Sequence, residues 1–302
     1  MRIAIFYRHF PVAMGQYIKW GLEEAGHEVY SCGPYSNGKI PWGDQFYYPE
    51  YKFPPDLITP DTKEVPIKDV LKSIRKDGFE PKIIIQAADN YFLPGKADIK
   101  NILIGTDPHA VDYEPYIQDV DYYVCMQKHY IPKKMKNAVW MPYAYDKNIH
   151  QYKPDRIKYD VVFCGLQYPQ RVEVLKKIAD KGWRVFNKLG VIYEEYTKVY
   201  NQGLIAFNYS SKQDLPARFW EGLAMKRCVL TNRVPDLNEF NFEEGIDYLG
   251  FDSIEEAVEK ADFYLKKPEL LFKIASNGYK RVRHRWKNTW SSRVRKMLKE
   301  IK

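Results

Sequence analysis

At 302 residues, with 45% hydrophobic and 28% charged side chains, the chain is too apolar for a disordered protein and longer than one typical domain. No run approaches the ~18 apolar residues of a membrane span, and MRIAIFYRHF is interrupted by charge too soon to be a signal peptide. The 47 basic and 39 acidic residues leave a net charge of +8, which admits a nucleotide, a membrane surface or a nucleic acid as partner without choosing among them.

RIAIFY opens the chain as a continuous apolar run, the pattern of a strand buried on both faces. RHFPVAMG follows as a loop; in this position it faces the ligand side of a parallel sheet, so His9 and Gly15 are candidates there, with a plain loop role equally open. In QYIKWGLEEAG the apolar positions Tyr17, Ile18, Leu22 and Ala25 recur at helical spacing, and Gly26 sits where a terminating glycine belongs. HEVYSCGP returns as a strand. From Tyr35 to Pro66 the chain is rich in Pro, Tyr and Gly without a period, and reads as a long ordered loop on the acceptor side. Helix PIKDVLKSIRKDG and strands PKIIIQAAD, KNILIGTDPH and DYYVCMQ complete the first half.

A second series starts near Tyr159, alternating strands YDVVFCG, WRVFNKLG, LIAFNYSS and RCVLTNR with helices PQRVEVLKKIADKG, IYEEYTKVYNQG and PARFWEGLAMK. The alternation predicts two α/β, doubly wound parallel domains, residues 1–150 and 151–302, with ligands at the carboxyl ends of strands in a cleft between them. The C-terminal stretch repeats Val282, Trp286, Trp290, Val294 and Leu298 at intervals of four, which predicts one amphipathic helix. Its basic face is either solvated or meets an anionic surface. Cys32, Cys125, Cys164 and Cys228 lack CxxC spacing, and three of them lie in apolar runs. They read as reduced core residues of a cytoplasmic protein. His27, His129, His150 and His284 show no partner pattern and read as structural or exposed.

Neither GxGxxG, a Walker loop nor HExxH occurs, so no dinucleotide, P-loop or zincin chemistry is indicated. The most informative segment is PARFWEGLAMKRCVLTN. Pro216 suits a first helical turn, and Asp214 is close enough to cap it. Arg218 and Glu221, three apart, share one helical face near its N-terminus. There a carboxylate can accept two sugar hydroxyls, while a guanidinium and free N–H groups hold phosphate. The spacing by itself fits an ordinary surface ion pair better.

Around that segment, YDVVFCGLQYPQR, LIAFNYSS, FEEGIDYLGF and NGYKRVRHRWKNTWSSRVRKML follow in an order that resembles the C-terminal domain of glycosyltransferases related to the spore-maturation protein CgeB. ILIGTDPH, YYVCMQ and WMPYAYD extend the likeness more loosely into the first half. The resemblance implies a GT-B fold, two Rossmann-like domains facing across a cleft, with the terminal helix packing back on the first. It implies that Glu221 holds the donor ribose, that Arg218 and Arg171 neutralise the diphosphate, and that Gly165 lets the backbone approach the donor. Lys188, at the end of WRVFNK, is a further phosphate candidate beside an exposed-lysine reading. Asp107 and His109 would face the reacting sugar from the acceptor side as catalytic groups, although Asp107 also suits a turn before Pro108. The first acid of the family's E-x7-E motif falls on Gln213, which leaves donor-sugar contacts open.

The expected activity is transfer of a sugar from a UDP- or GDP-type donor to a hydroxyl acceptor, without cofactor or metal and by a retaining route. Two alternatives stand beside it: a viral-type DNA-base glycosyltransferase acting on hydroxymethyl-pyrimidine, and a non-catalytic nucleotide- or glycan-binding protein.

Overall fold

The computed structural model describes residues 1–40, 46–62, 65–87, 92–284 and 287–301. The chain forms two compact units, Met1–Pro142 with Trp290–Lys302, and Tyr143–Thr289.

In the first unit β1 (Arg2–Phe6), β2 (Glu28–Gly33), β3 (Leu57–Ile58), β4 (Ile83–Gln86), β5 (Lys100–Gly105), β6 (Tyr122–Cys125) and β7 (Ala138–Trp140) make one parallel sheet, ordered β3-β2-β1-β4-β5-β6-β7. Ile3 pairs with Val29 on one side and Ile83 on the other, which fixes β1 at the centre. Ile3, Ala4, Ile5, Ile84, Ile85, Leu103 and Ile104 are all fully buried, as a sheet covered on both faces requires. Helix α1 (Met14–Glu24) stops at Gly26, whose φ of +90° is the left-handed end expected of a glycine. Helix α2 (Ile67–Lys76) buries Ile67, Val70, Leu71 and Ile74 against the sheet, and the short α3 (Glu114–Ile117) follows β5. The long loop after β2 contributes the edge strand β3, held where Ser31 donates its N–H and hydroxyl to the Asp56 carboxylate, each at 2.7 Å.

In the second unit β8 (Tyr159–Cys164), β9 (Val185–Lys188), β10 (Gly203–Asn208), β11 (Cys228–Asn232) and β12 (Leu249–Phe251) form a parallel sheet ordered β12-β11-β10-β8-β9. Helices α4 (Pro169–Asp180), α5 (Tyr193–Asn201), α6 (Ala217–Ala224), α7 (Ile254–Leu265) and α8 (Pro268–Arg283) accompany it. Val161, Phe163, Val174, Ile205, Phe207, Leu230, Phe251 and Ile274 form its core. The segment before β8 belongs to this unit because α5 holds it: Thr197 donates its hydroxyl to the Ile149 carbonyl at 3.0 Å, and Asn201 its amide to the Gln151 carbonyl at 2.9 Å.

The single C-terminal helix expected from the four-residue stripe is in fact two. At His284 ψ swings to 115°, so α8 ends, and the Asn288 amide takes the freed Val282 carbonyl at 2.9 Å. Helix α9 (Trp290–Glu300) then starts afresh in the first unit, packing on α1 with Trp290, Val294 and Met297 buried, while Leu298 lies only half inside. Trp286 lies outside the described residues. All four cysteines are buried and free. Among the described residues no helix is long and apolar enough to cross a membrane.

Arg233, just past β11, joins Glu244 at 2.7 Å, Asp252 at 2.7 Å and Glu256 at 2.9 Å, with Lys260 also on Glu244 and Glu256. Glu256 further accepts the Asp252 N–H, and its own N–H is capped by Ser253, so this network starts α7. Arg233 foremost, then Lys260, hold the Glu256 carboxyl at about 2, below its ordinary 4.5. A depressed folded-state pKa contributes stability above the unfolded value that is lost as pH falls through the folded one. Urea unfolding should therefore show stability declining as pH drops from about 4.5 to 2, with a shallower decline in Glu256→Gln; identical pH slopes would exclude this contribution.

Candidate functional site

In the second sheet β8 sits between β9 and β10, so the chain leaves it in opposite directions and a crevice opens at the carboxyl ends of β8 and β10. Gly165 follows β8 with φ +154°, and a Cβ there would lie 2.5 Å from Arg218 Nη2. Arg218, in the first turn of α6, donates Nε to the Cys164 carbonyl at 3.2 Å and Nη1 to Asn208 Oδ1 at 3.0 Å. Its guanidinium lies 4.7 Å from the centre of the Phe163 ring. Asn208, the last residue of β10, is oriented by donating to the Thr231 hydroxyl at 2.9 Å.

Arg171, in the first turn of α4, donates Nε to the Tyr209 carbonyl at 2.7 Å and Nη1 to the Leu166 carbonyl at 3.1 Å, beneath the Tyr168 ring. Among the described residues neither arginine makes an ion pair, and both are held by neutral oxygens. Burial first, and the positive charge of Arg218 second, lower the Arg171 pKa to about 10, so it stays charged at neutral pH. Among the described residues no side chain caps the N-terminus of α4 or of α6. Two uncompensated guanidiniums beside two open helix N-termini constitute an anion-binding arrangement.

One turn along α6, Glu221 accepts the Tyr196 hydroxyl at Oε2 (2.7 Å) and faces His150 Nε2 from Oε1 (3.5 Å). Arg218 and Glu221 thus do not form a surface pair; each has its own buried partners. Burial and the Glu221 carboxylate raise the Tyr196 pKa, which keeps the phenol a donor. Lys188 ends β9 beside this crevice, its carbonyl accepting the Gly165 N–H at 3.2 Å and its side chain exposed.

Asp214 does not cap α6. Its N–H goes back to the Ser210 hydroxyl at 2.8 Å and its carboxylate accepts that hydroxyl, because the intervening turn folds on itself. Gln213, in that turn, is exposed with φ +60°. His150 is neither isolated nor exposed: only 3% of its side chain is accessible, and Glu221 is its neighbour. Sequence inspection misses it because nothing local links a loop histidine before β8 to a glutamate on α6. Tyr196 was hidden similarly among the tyrosines of α5.

The first-unit candidates are set apart in kind. Asp107 accepts the Ala110 and Val111 N–H groups at its carbonyl, each at 2.9 Å, making the turn after β5. His109 lines a cavity of about 360 Å³ with Tyr113, Tyr123 and Tyr130, and its Nδ1 makes no hydrogen bond among the described residues. His9 lies inside the unit, stacked on Tyr7 at 3.7 Å, and burial lowers its pKa to about 4, so the ring is neutral. Gly15 opens α1 where a Cβ would fall 2.2 Å from the Tyr7 ring, a packing constraint. Among the described residues no group of three or more His, Cys, Asp or Glu is placed to hold a metal.

Two all-parallel α/β units, the second with its crevice at the switch point, define the GT-B class of fold. Residues 151–299 match the family model described as glycosyl transferase-like, and the chain is a glycosyltransferase of that GT-B class. Among solved structures it is similar to sucrose-phosphate synthase from Thermosynechococcus elongatus (TM-score 0.63, 14% identity, 99% of this chain and 98% of that one). It is also similar to Anabaena HepE in complex with UDP-glucose (TM-score 0.65, 9% identity, 98% and 99%). A third likeness is to an alpha-glucosyltransferase in complex with UDP-glucose and DNA containing an abasic site (TM-score 0.61, 11% identity, 100% and 99%). Identities this low speak to the fold. No curated protein matches the chain in sequence.

Gly165→Ala should push the Arg218 guanidinium from its seat and cost about 1–3 kcal/mol in urea unfolding, the usual penalty of overpacking. A wild-type unfolding curve would mean that the guanidinium can relocate freely.

Proposed function

We propose that the protein transfers a sugar from a UDP- or GDP-type donor to a hydroxyl acceptor, binding the donor at the crevice of the second unit. The observation carrying this reading is the pair of guanidiniums, Arg171 and Arg218, held among the described residues by neutral oxygens at the carboxyl ends of β8 and β10. In this role they receive the diphosphate, with the open N-termini of α4 and α6 and with Lys188 as a mobile third cation. Gly165, lacking a side chain, admits the phosphates close to the backbone. Glu221 accepts the ribose hydroxyls.

As the bond to the anomeric carbon breaks, negative charge grows on the departing nucleoside diphosphate. Fixed guanidiniums and helix dipoles stabilise that charge without reorganising, a contribution worth about 3 kcal/mol per donor, or ~100-fold in rate. The reading therefore calls for no metal. A retaining outcome belongs to it through the resemblance to E-x7-E enzymes, in which the exposed Gln213 is the departure. On the acceptor side, His109 at the wall of its cavity would orient or deprotonate a hydroxyl, with Asp107 shaping the turn that presents it. His9 and Gly15 support the first unit from within. Four buried free cysteines favour a reducing, cytoplasmic setting. The exposed Arg295, Lys296 and Lys299 of α9 offer a contact for an anionic surface.

Thermal melting with UDP- and GDP-sugars tests the donor site. At a hundredfold excess over Kd, a cognate donor stabilises by about 2.7 kcal/mol, a rise of roughly 5 °C or more in Tm. Glu221→Ala should lose most of that rise; equal shifts in mutant and wild type would remove Glu221 from the site.

A second reading makes DNA the acceptor, favoured by the net charge of +8 and the full-length likeness to the alpha-glucosyltransferase bound to UDP-glucose and DNA. It expects duplex DNA to shift in native gels with an affinity that falls steeply with salt. No salt-sensitive shift would end it.

A further inference from the structure

We infer that His150 and Tyr196 are positioning residues that turn Glu221 into a reader of the ribose diol, making the site selective for ribonucleotides over deoxyribonucleotides. This rests on the donor-site reading above.

The Glu221 side chain is 14% exposed, and an ionised carboxylate offers about four lone-pair directions. Tyr196, its phenol kept protonated, occupies one on Oε2 at 2.7 Å. His150 addresses Oε1 at 3.5 Å. The tautomer of that imidazole is set from behind: its Nδ1 accepts the Asp146 N–H at 3.0 Å, so in the neutral ring the proton sits on Nε2, toward Glu221. The ring is fixed in turn by its loop. Asp146 Oδ1 accepts the N–H of Asn148 at 2.7 Å and of Ile149 at 3.2 Å, and Thr197 of α5 holds the Ile149 carbonyl. Tyr196 is braced by Tyr200, ring centres 4.3 Å apart, and meets His150 edge-on.

Tyr196 thereby pins Oε2 by a hydrogen bond while His150 flanks Oε1 as a polar neighbour at 3.5 Å, and each oxygen keeps a lone pair for a ligand. Two acceptors on one rigid carboxylate match the two adjacent hydroxyls of a ribose. A nucleotide lacking one of them leaves a mostly buried acceptor without its partner, the situation in which a site built for a hydroxyl rejects the analogue most strongly. Without its two braces the carboxylate could rotate and bind water instead, and the discrimination would fade while the phosphate contacts stayed.

The experiment is calorimetric titration of UDP, GDP and their 2′-deoxy forms into wild type, Tyr196→Phe, His150→Gln and His150→Asn. Glutamine places an N–H near the position of Nε2; asparagine keeps an acceptor near Nδ1 but has no donor reaching Glu221. Wild type should prefer the ribonucleotide by roughly tenfold or more, the worth of one hydrogen bond to a charged group. Tyr196→Phe and His150→Asn should shrink that ratio severalfold by weakening the ribonucleotide alone, and His150→Gln should keep it. Equal weakening of both forms, or a ratio kept by asparagine and lost by glutamine, would overturn the inference and make the two residues merely structural. Should His150→Asn fail to fold, Tyr196→Phe decides, since it removes one oxygen and leaves the ring stack. If wild type binds none of the four nucleotides, the donor-site reading itself falls, and this inference with it.

Discussion

A guanidinium with no ion pair among the described residues organises the second unit. Arg218 reaches across from α6 to the end of β8, where the Cys164 carbonyl and Asn208 hold it over Phe163, and Gly165 leaves room for its outer nitrogen. Burying a charge on neutral acceptors alone is costly unless its remaining donors find a partner. Here a second such arginine, Arg171, stands near enough that its lowered pKa records burial first and the Arg218 charge second. Two like charges held together this way are the feature that the proposed diphosphate would neutralise.

Much of the local architecture follows from keeping that charge in place. Thr231 on β11 orients Asn208, Tyr209 and Leu166 carbonyls fix Arg171, and the turn between Ser210 and Asp214 closes on itself instead of capping α6. That turn leaves the first N–H groups of the helix open toward the crevice. Glu221, one helical turn away, is kept apart from Arg218 by Tyr196 and His150, so the carboxylate is not consumed in a salt bridge. In the proposed donor site, this separation would let one charge meet phosphate and the other hydroxyls.

The first unit is built on different constraints. Its sheet centre, β1, feeds directly into a packed knot in which Tyr7 lies against Gly15 and His9 and donates its hydroxyl to Gln16 at 2.9 Å. The residues that looked like a ligand-facing loop are therefore the joint between β1 and α1. His109 differs in that it borders a tyrosine-lined cavity. Two histidines near strand ends thus differ in surroundings, one stacked on Tyr7 inside the unit and one at a cavity wall.

Strand and helix positions in both units were readable from the chain because their signals are local. Uninterrupted apolar runs such as RIAIF and IIIQ mark strands buried on both faces, and Gly26 marks a helix end through its own backbone freedom. The pairing of Arg218 with Glu221 on one helix was equally visible, since three residues make most of a turn. Periodicity misled at the C-terminus, where four-residue spacing runs straight through the break after Arg283 because side-chain pattern carries no record of ψ at His284. Only tertiary structure could bring His150 and Tyr196 to Glu221, or set Arg171 beside Arg218, because those contacts join distant segments through the packing of α4, α5 and α6 on one sheet. The sequence by itself determined which groups could bind an anion and a sugar; the fold decided which of them meet, since burial and hydrogen-bond geometry exist only once the elements have packed.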